Sequence, residues 1–99
     1  MKTTIKENVV TIFLEGEINA ANVAELRENI EGVVEENSGK SLVFDAERLT
    51  YISSAGLKLL LNLQKNVLKS TLTVKNVSQE VYEIFDITKF IDLMNIEKK

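Results

Sequence analysis

This sequence predicts an α/β fold with a mainly parallel sheet, on three observations. Short runs of β-branched and aromatic residues alternate with longer stretches in which apolar residues recur every three or four positions. In order these read hairpin, helix, strand, helix, strand, helix, an alternation that builds parallel sheets through right-handed crossovers. The 99 residues make one domain spanning 1–99, because typical domains run to about 100–150 residues and this length leaves room for a single core.

Ile5 and the run Val9-Val10-Thr11-Ile12-Phe13-Leu14 flank the turn residues Glu7-Asn8 and predict a β-hairpin. Glu15-Gly16-Glu17 is expected to break the second strand, since glycine allows a bend that other residues resist. Val23, Leu26, Ile30, Val33 and Val34 then fall on one stripe, with Glu25, Arg27, Glu28 and Glu31 on other faces, the pattern of an amphipathic helix. Asn19 suits its start, and so does Asn22, which with Glu25 resembles a shifted capping box. Asn37-Ser38-Gly39 carries the glycine chemistry of a helix stop.

Ser41-Leu42-Val43-Phe44 has the apolar character of a buried strand, with Asp45 at its carboxyl end. Leu57, Leu60, Leu61, Gln64 and Leu68 recur at helical spacing and predict a helix from about Ala55 to Leu68. Lys69-Ser70 connects it to the strand Thr71-Leu72-Thr73-Val74. Asn76 or Ser78 caps a third helix that turns Val81, Ile84 and Phe85 inward. Ile87, Phe90, Ile91, Leu93 and Met94 supply a last apolar segment, either strand or short helix.

Cysteine and histidine are both absent. Disulfides, thiolate or His-containing metal sites, and Ser-His-Asp or Cys-His nucleophiles are therefore excluded. A net charge of −3 argues against nucleic-acid binding, which relies on basic patches. Lys2, Lys6, Lys58, Lys65, Lys69, Lys75 and Lys89 are dispersed and read as solvated surface, and no Gly-x-x-x-x-Gly-Lys run cradles a phosphate. Met1 to Glu7 is too short and too charged for a secretory signal. The run Leu59-Leu60-Leu61 falls far below the ~20 apolar residues that span a bilayer. The expectation is a cytoplasmic protein that is not an enzyme, with no cofactor, no metal and no membrane span.

The stretch from Asp45 to Leu57 joins a buried strand to a leucine-rich helix and carries two adjacent serines at the helix start. Functional loops of open α/β sheets gather at the carboxyl ends of strands, and Asp45 and the serines are both expected on that rim. A serine at a helix start accepts a hydrogen bond from the free amides of the first turn, worth ~1 kcal/mol against alanine. The same amides and the positive end of the helix dipole tolerate a phosphate. Ser54 is thus a cap or a switch. Gly56, one turn into the helix, weakens it by ~1 kcal/mol against alanine, which close approach of a partner backbone would explain. Leu57, Tyr51 and Ile52 suit a core, and an exposed Tyr51 would suit an interface anchor.

At these residues the sequence resembles the STAS domains, above all the bacterial anti-sigma-factor antagonists. The run Asp45…Leu49-Thr50-Tyr51-Ile52-Ser53-Ser54-Ala55-Gly56-Leu57 is similar to their Asp-Ser-(Ser/Thr/Ala)-Gly-Leu signature, and Leu14-Glu15-Gly16-Glu17-Ile18-Asn19-Ala20 to their Gly-Glu-Leu-Asp-Ala segment. Ser54 falls on the phosphoacceptor serine, and Ser53 stands where many members carry aspartate. The resemblance implies a small mixed sheet, mainly parallel, of four to five strands with helices packed against it. It also implies partner binding through Ser53, Ser54, Ala55, Gly56, Leu57, Asn19 and Tyr51. Unmodified protein would bind an anti-sigma factor of the GHKL serine kinase type and release a sigma factor. Phosphorylation of Ser54 by that kinase would end the interaction, and a PP2C-type phosphatase would restore it. The alternative the same family offers is a constitutive adaptor subunit of a stressosome-like or lipid-transport complex, with Ser54 only a cap. A phosphorylated aspartate of the response-regulator receiver kind is disfavoured. Glu15 and Glu17 are a poor match to the acidic pair such a site needs, and the opening hairpin and short chain fit it badly.

Overall fold

The computed structural model describes residues 2–68 and 71–99, so the predicted connection Lys69-Ser70 lies outside the described residues. Among these residues the chain forms β1 (Thr3–Lys6), β2 (Val9–Ile18), α1 (Val23–Glu36), β3 (Ser41–Ile52) and α2 (Ser54–Asn62). A π-helical continuation, Leu63–Leu68, extends α2. Then come β4 (Thr73–Val77), α3 (Gln79–Ile87), a 3-10 turn at Phe90–Asp92 and β5 (Asn95–Lys98). The strands lie side by side in chain order. β1 pairs antiparallel with β2, and every later pairing is parallel.

Each helical crossover therefore advances by one strand in the same direction, and right-handed connections then carry the three helices over one face of the sheet. Burial follows this division. Val10, Ile12 and Leu14 of β2 are buried, whereas Val9, Thr11, Phe13 and Glu15 between them are half-buried or exposed. Ile30 of α1, Leu57, Leu59 and Leu60 of α2, and Val81 and Phe85 of α3 close the core from the helical side. Each fully buried side chain of this size stabilises the fold by roughly 1.5–3 kcal/mol. The mixed, mainly parallel five-stranded α/β architecture is the one expected of the sequence.

Several element ends differ from the sequence reading, and each has a local cause. β2 does not break at Glu15-Gly16-Glu17 but continues to Ile18, and β3 runs on past Phe44 to Ile52. The two strands stay paired because β3 accommodates two bulges. Between the pairs Phe13↔Asp45 and Glu15↔Arg48, and again between Gly16↔Leu49 and Glu17↔Tyr51, β3 advances one residue more than β2. The inward residues of β3 are consequently Phe44, Ala46, Leu49 and Ile52, all buried, at a spacing that no test for strict alternation detects.

Asp45 is accordingly not at a strand terminus but inside β3, where it is only 7% exposed. Its Oδ1 accepts from the Glu47 amide at 2.9 Å, and its Oδ2 accepts from Asn76 Nδ2 at 3.0 Å. The first bond satisfies an amide that the bulge takes out of the ladder. The second ties the bulge to the end of β4. Asn76 is held in the left-handed conformation, φ +59°, and caps nothing; Ser78 caps α3, its Oγ accepting from Val81 N at 3.3 Å.

Neither asparagine caps α1 with its side chain. Asn22 occupies the cap position, but its Oδ1 accepts from Asn19 N and its Nδ2 donates to Glu17 O, while Asn19 Oδ1 accepts from Ala21 N. The two residues brace the turn instead. Gly39, at φ +88°, follows the end of α1 as expected of the stop signal. Thr71 and Leu72 precede β4 rather than opening it. Leu72 N donates to Gln64 Oε1 and Gln64 Nε2 donates to Leu93 O, both at 2.7 Å, so Gln64 is a clamp between segments rather than part of an apolar stripe. Of the final apolar segment, Ile87 ends α3 and Phe90 and Ile91 lie in the 3-10 turn, so the short-helix alternative holds there, and the strand β5 begins only after it, at Asn95. The segment buries only Met94, leaving Ile87 78% and Leu93 47% exposed.

Gly56 lies where α2 crosses β2 and β3. A Cβ built there would stand 2.6 Å from Ile52 Cγ1 and 2.8 Å from Ile18 Cγ2, well inside van der Waals contact. The close approach that requires glycine is thus made by the protein's own strands, not by a partner backbone.

Two stability effects follow from these contacts. Asp45→Ala leaves the Glu47 amide and the Asn76 amide group unpaired and should destabilise the fold by about 1–3 kcal/mol in urea denaturation. Gly56→Ala improves helix propensity by at most ~1 kcal/mol but overpacks a tight contact. Its denaturation midpoint should fall, and a rise would mean that the isoleucines yield.

Candidate functional site

The serine loop is built at the point where the β2–β3 ladder ends. The amide of Ser53 donates to the carbonyl of Ile18 at 2.8 Å, adding a last rung after Ile52. With its backbone extended at φ −85° and ψ 174°, Ser53 is the N-cap of α2. Its carbonyl accepts from Leu57 N at 3.0 Å, and its Oγ accepts from Gly56 N at 3.4 Å, a long bond and hence a weak cap. Capping therefore falls to the first serine. Ser54 is the first helical residue and is exposed, and its hydroxyl has no hydrogen-bond partner among the described residues.

The expected site residues divide into two layers. Ser54 and Tyr51, the latter 45% exposed, stand on the surface, with Ser53 and Ala55 half-buried beside them. Gly56 and Leu57 are buried, Leu57 to 1% exposure, and present no side chain to the surface of this chain. Their part is to seat the helix on Ile18 and Ile52 so that the preceding serines face outward. Asn19 follows Ile18 directly and is half-buried within its turn. The Ser53–Ile18 bond thus brings the two sequence segments Leu14–Ala20 and Asp45–Leu57 together at one rim. Asp45, mid-strand and buried, is not part of that rim. The sequence offers Ile18 only as part of the Leu14–Ala20 segment and Asn22 only as a helix cap, not as supports of this rim. The first looks like any strand residue, and the second bonds back to Glu17 and Asn19 in a way that only the folded turn reveals.

The electrostatics of the helix start are distinctive. α1 carries Glu25 and α3 carries Glu80 in the first turn, where a carboxylate offsets the positive end of the dipole. α2 has no acidic residue in its first turn. Its amides and dipole face an exposed hydroxyl rather than a fixed negative charge. Among the described residues no helix is long and apolar enough to cross a membrane.

Known proteins are similar to this chain in sequence and in architecture. The family described as the STAS domain matches residues 1–99. The anti-sigma-B factor antagonist of Bacillus subtilis strain 168 is 30% identical over 95 residues, covering 94% of this chain and 85% of the relative. The crystal structure of an anti-sigma factor antagonist from Mycobacterium paratuberculosis aligns with a TM-score of 0.84 at 20% identity, over 99% of this chain and 84% of that one. SpoIIAA in its unphosphorylated form aligns with a TM-score of 0.74 at 21% identity, over 96% and 85%. SpoIIAA of Bacillus in its phosphorylated form aligns at 0.65 and 19%, over 96% and 88%. With a five-stranded sheet in this order and the family matched along its whole length, the chain belongs to the STAS domain family, beside relatives named anti-sigma factor antagonists.

Proposed function

We propose that this protein is an anti-sigma factor antagonist that works as a phosphorylation-controlled partner switch in the cytoplasm. Unmodified, it binds an anti-sigma factor of the GHKL serine kinase type through the rim formed by Asn19, Tyr51, Ser53, Ser54 and Ala55, and so frees a sigma factor. The kinase then phosphorylates Ser54 and the complex dissociates; a PP2C-type phosphatase resets it. The protein contributes a surface and an acceptor hydroxyl, and catalysis belongs to its partners. Neither a cofactor, nor a metal, nor direct contact with nucleic acid enters this cycle.

The observation that carries the reading is the division of labour between the two serines. Ser53 holds the cap, so the Ser54 hydroxyl is exposed and uncommitted. A kinase can reach it, and modification breaks no hydrogen bond of the described structure. Phosphate adds about −1.5 to −2 charges at neutral pH and meets free amides, the positive helix end and a first turn without carboxylates. The fold therefore survives modification, and the loss of binding arises in the interface, where an unpaired buried charge costs several kcal/mol. SpoIIAA, which shares this fold, has been solved in both an unphosphorylated and a phosphorylated form, which supports a phosphorylated state for a protein of this architecture.

Ser54→Ala should abolish phosphate incorporation by the kinase recovered with the protein from its native host, while leaving affinity for that kinase intact. Label appearing on another residue would overturn the assignment. Ser54→Asp should retain the circular dichroism spectrum of the wild type and bind the kinase at least about tenfold more weakly, or ~1.4 kcal/mol. Undiminished affinity, together with a Ser54 that stays unmodified under all growth conditions by mass spectrometry, would instead identify a constitutive adaptor.

A further inference from the structure

Once α2 begins at Ser54, the dispersed lysines of the sequence are no longer equivalent. Lys58 is four residues on, exposed, and the one charged residue of the helix Ser54–Asn62. Residues at this separation are neighbours on one helical face, about 5–6 Å apart at Cβ. Helical side chains also lean toward the N-terminus, so a long side chain at this position lies back over the turn that carries Ser54. A negative group N-terminal to a lysine is moreover the favourable order for such a pair. Lys58 has no carboxylate partner among the described residues.

We propose that Lys58 is the counter-charge of a phosphate on Ser54, a positioning residue that makes the switch a two-residue device. The inference rests on Ser54 being the modified residue. Before modification this face carries one positive charge; afterwards its sum lies between about −0.5 and −1, and the phosphate is drawn along the helix rather than left free in solvent. The other charged groups on the bordering elements are Glu15 and Glu17 of β2, Asp45, Glu47 and Arg48 of β3, and Glu25, Arg27, Glu28, Glu31, Glu35 and Glu36 of α1. Arg27, the cation of α1, is committed elsewhere. Its Nε lies 3.3 Å from Glu31 Oε2 and its Nη2 donates to Asn62 Oδ1 at 2.9 Å, at the opposite end of α2. That point is about 12 Å along the helix from Ser54.

The test installs phosphoserine at position 54 during synthesis, by reassigned-codon translation of the full chain, so that no kinase is involved. The titration of the phosphate from monoanion to dianion is then followed by phosphorus NMR in wild type, Lys58→Ala and Lys58→Arg. A nearby cation favours the dianion and lowers the midpoint. Removing it in Lys58→Ala should raise the midpoint by roughly 0.2–0.4 pH unit, while Lys58→Arg stays with the wild type. The difference should shrink in 1 M salt, where the screening length falls to about 3 Å. Glu17, Glu25 and the other bordering charges are the same in all three proteins and cancel. Lys58→Ala titrating with the wild type, or a shift that salt leaves unchanged, overturns the pairing. Because the phosphate is installed without a kinase, that result is independent of whether a cognate kinase chooses Ser54, which the labelling of Ser54→Ala decides separately.

Discussion

The parallel pairing of β2 with β3 is the constraint on which the serine loop depends. It runs from Val9 and Ser41 to Ile18 and Ile52, and the Ser53–Ile18 hydrogen bond closes it. Two bulges let the longer strand keep pace with the shorter one, and bulges bend and twist the strand that carries them. Asp45 makes the first bulge tolerable by accepting the amide it displaces, and Asn76 holds Asp45 in turn. A buried carboxylate mid-strand, unusual in isolation, is here a brace for the strand that delivers Ser53 and Ser54 to the rim.

Below that rim, the geometry is set by bulk. Gly56 allows α2 to approach Ile18 and Ile52 more closely than any side chain would permit, and Leu57 is driven into the core beside it. A helix seated this tightly has little freedom to roll about its axis, because protein interiors pack at crystal-like density. The orientation of its first residues is therefore inherited from the packing of the third and fourth. In this chain Ser54 is the part left exposed, and Gly56 and Leu57 are the parts packed beneath it.

Charge supplies the remaining layer. The starts of α1 and α3 are compensated by glutamates, whereas the start of α2 presents unneutralised amides, an exposed hydroxyl and, one turn on, a lysine. Asn19 and Ser53, the residues flanking the end of the ladder, are both neutral. A negative group added at this point meets attraction from its own helix and little repulsion from the residues next to it.

Much of this was legible in the residues alone. Periodicity identified the three helices and most of the strands, because amphipathic stripes and β-branched runs are local consequences of which face must be buried. The absence of cysteine and histidine removed whole classes of chemistry, and the segments Leu14–Ala20 and Ser53–Leu57 picked out by their residues are ones the fold brings together. What stayed hidden were the features that depend on contacts distant in the chain. The spacing of Phe44, Ala46, Leu49 and Ile52 has no regular period until the bulges against β2 are known, so β3 looked complete at Phe44. The choice between Ser53 and Ser54 as cap turns on where the ladder with Ile18 stops, and the reason for Gly56 lies in two isoleucines on two different strands. Local preference names the elements; long-range pairing decides where they end, and which side chain is left facing water is a matter of where they end.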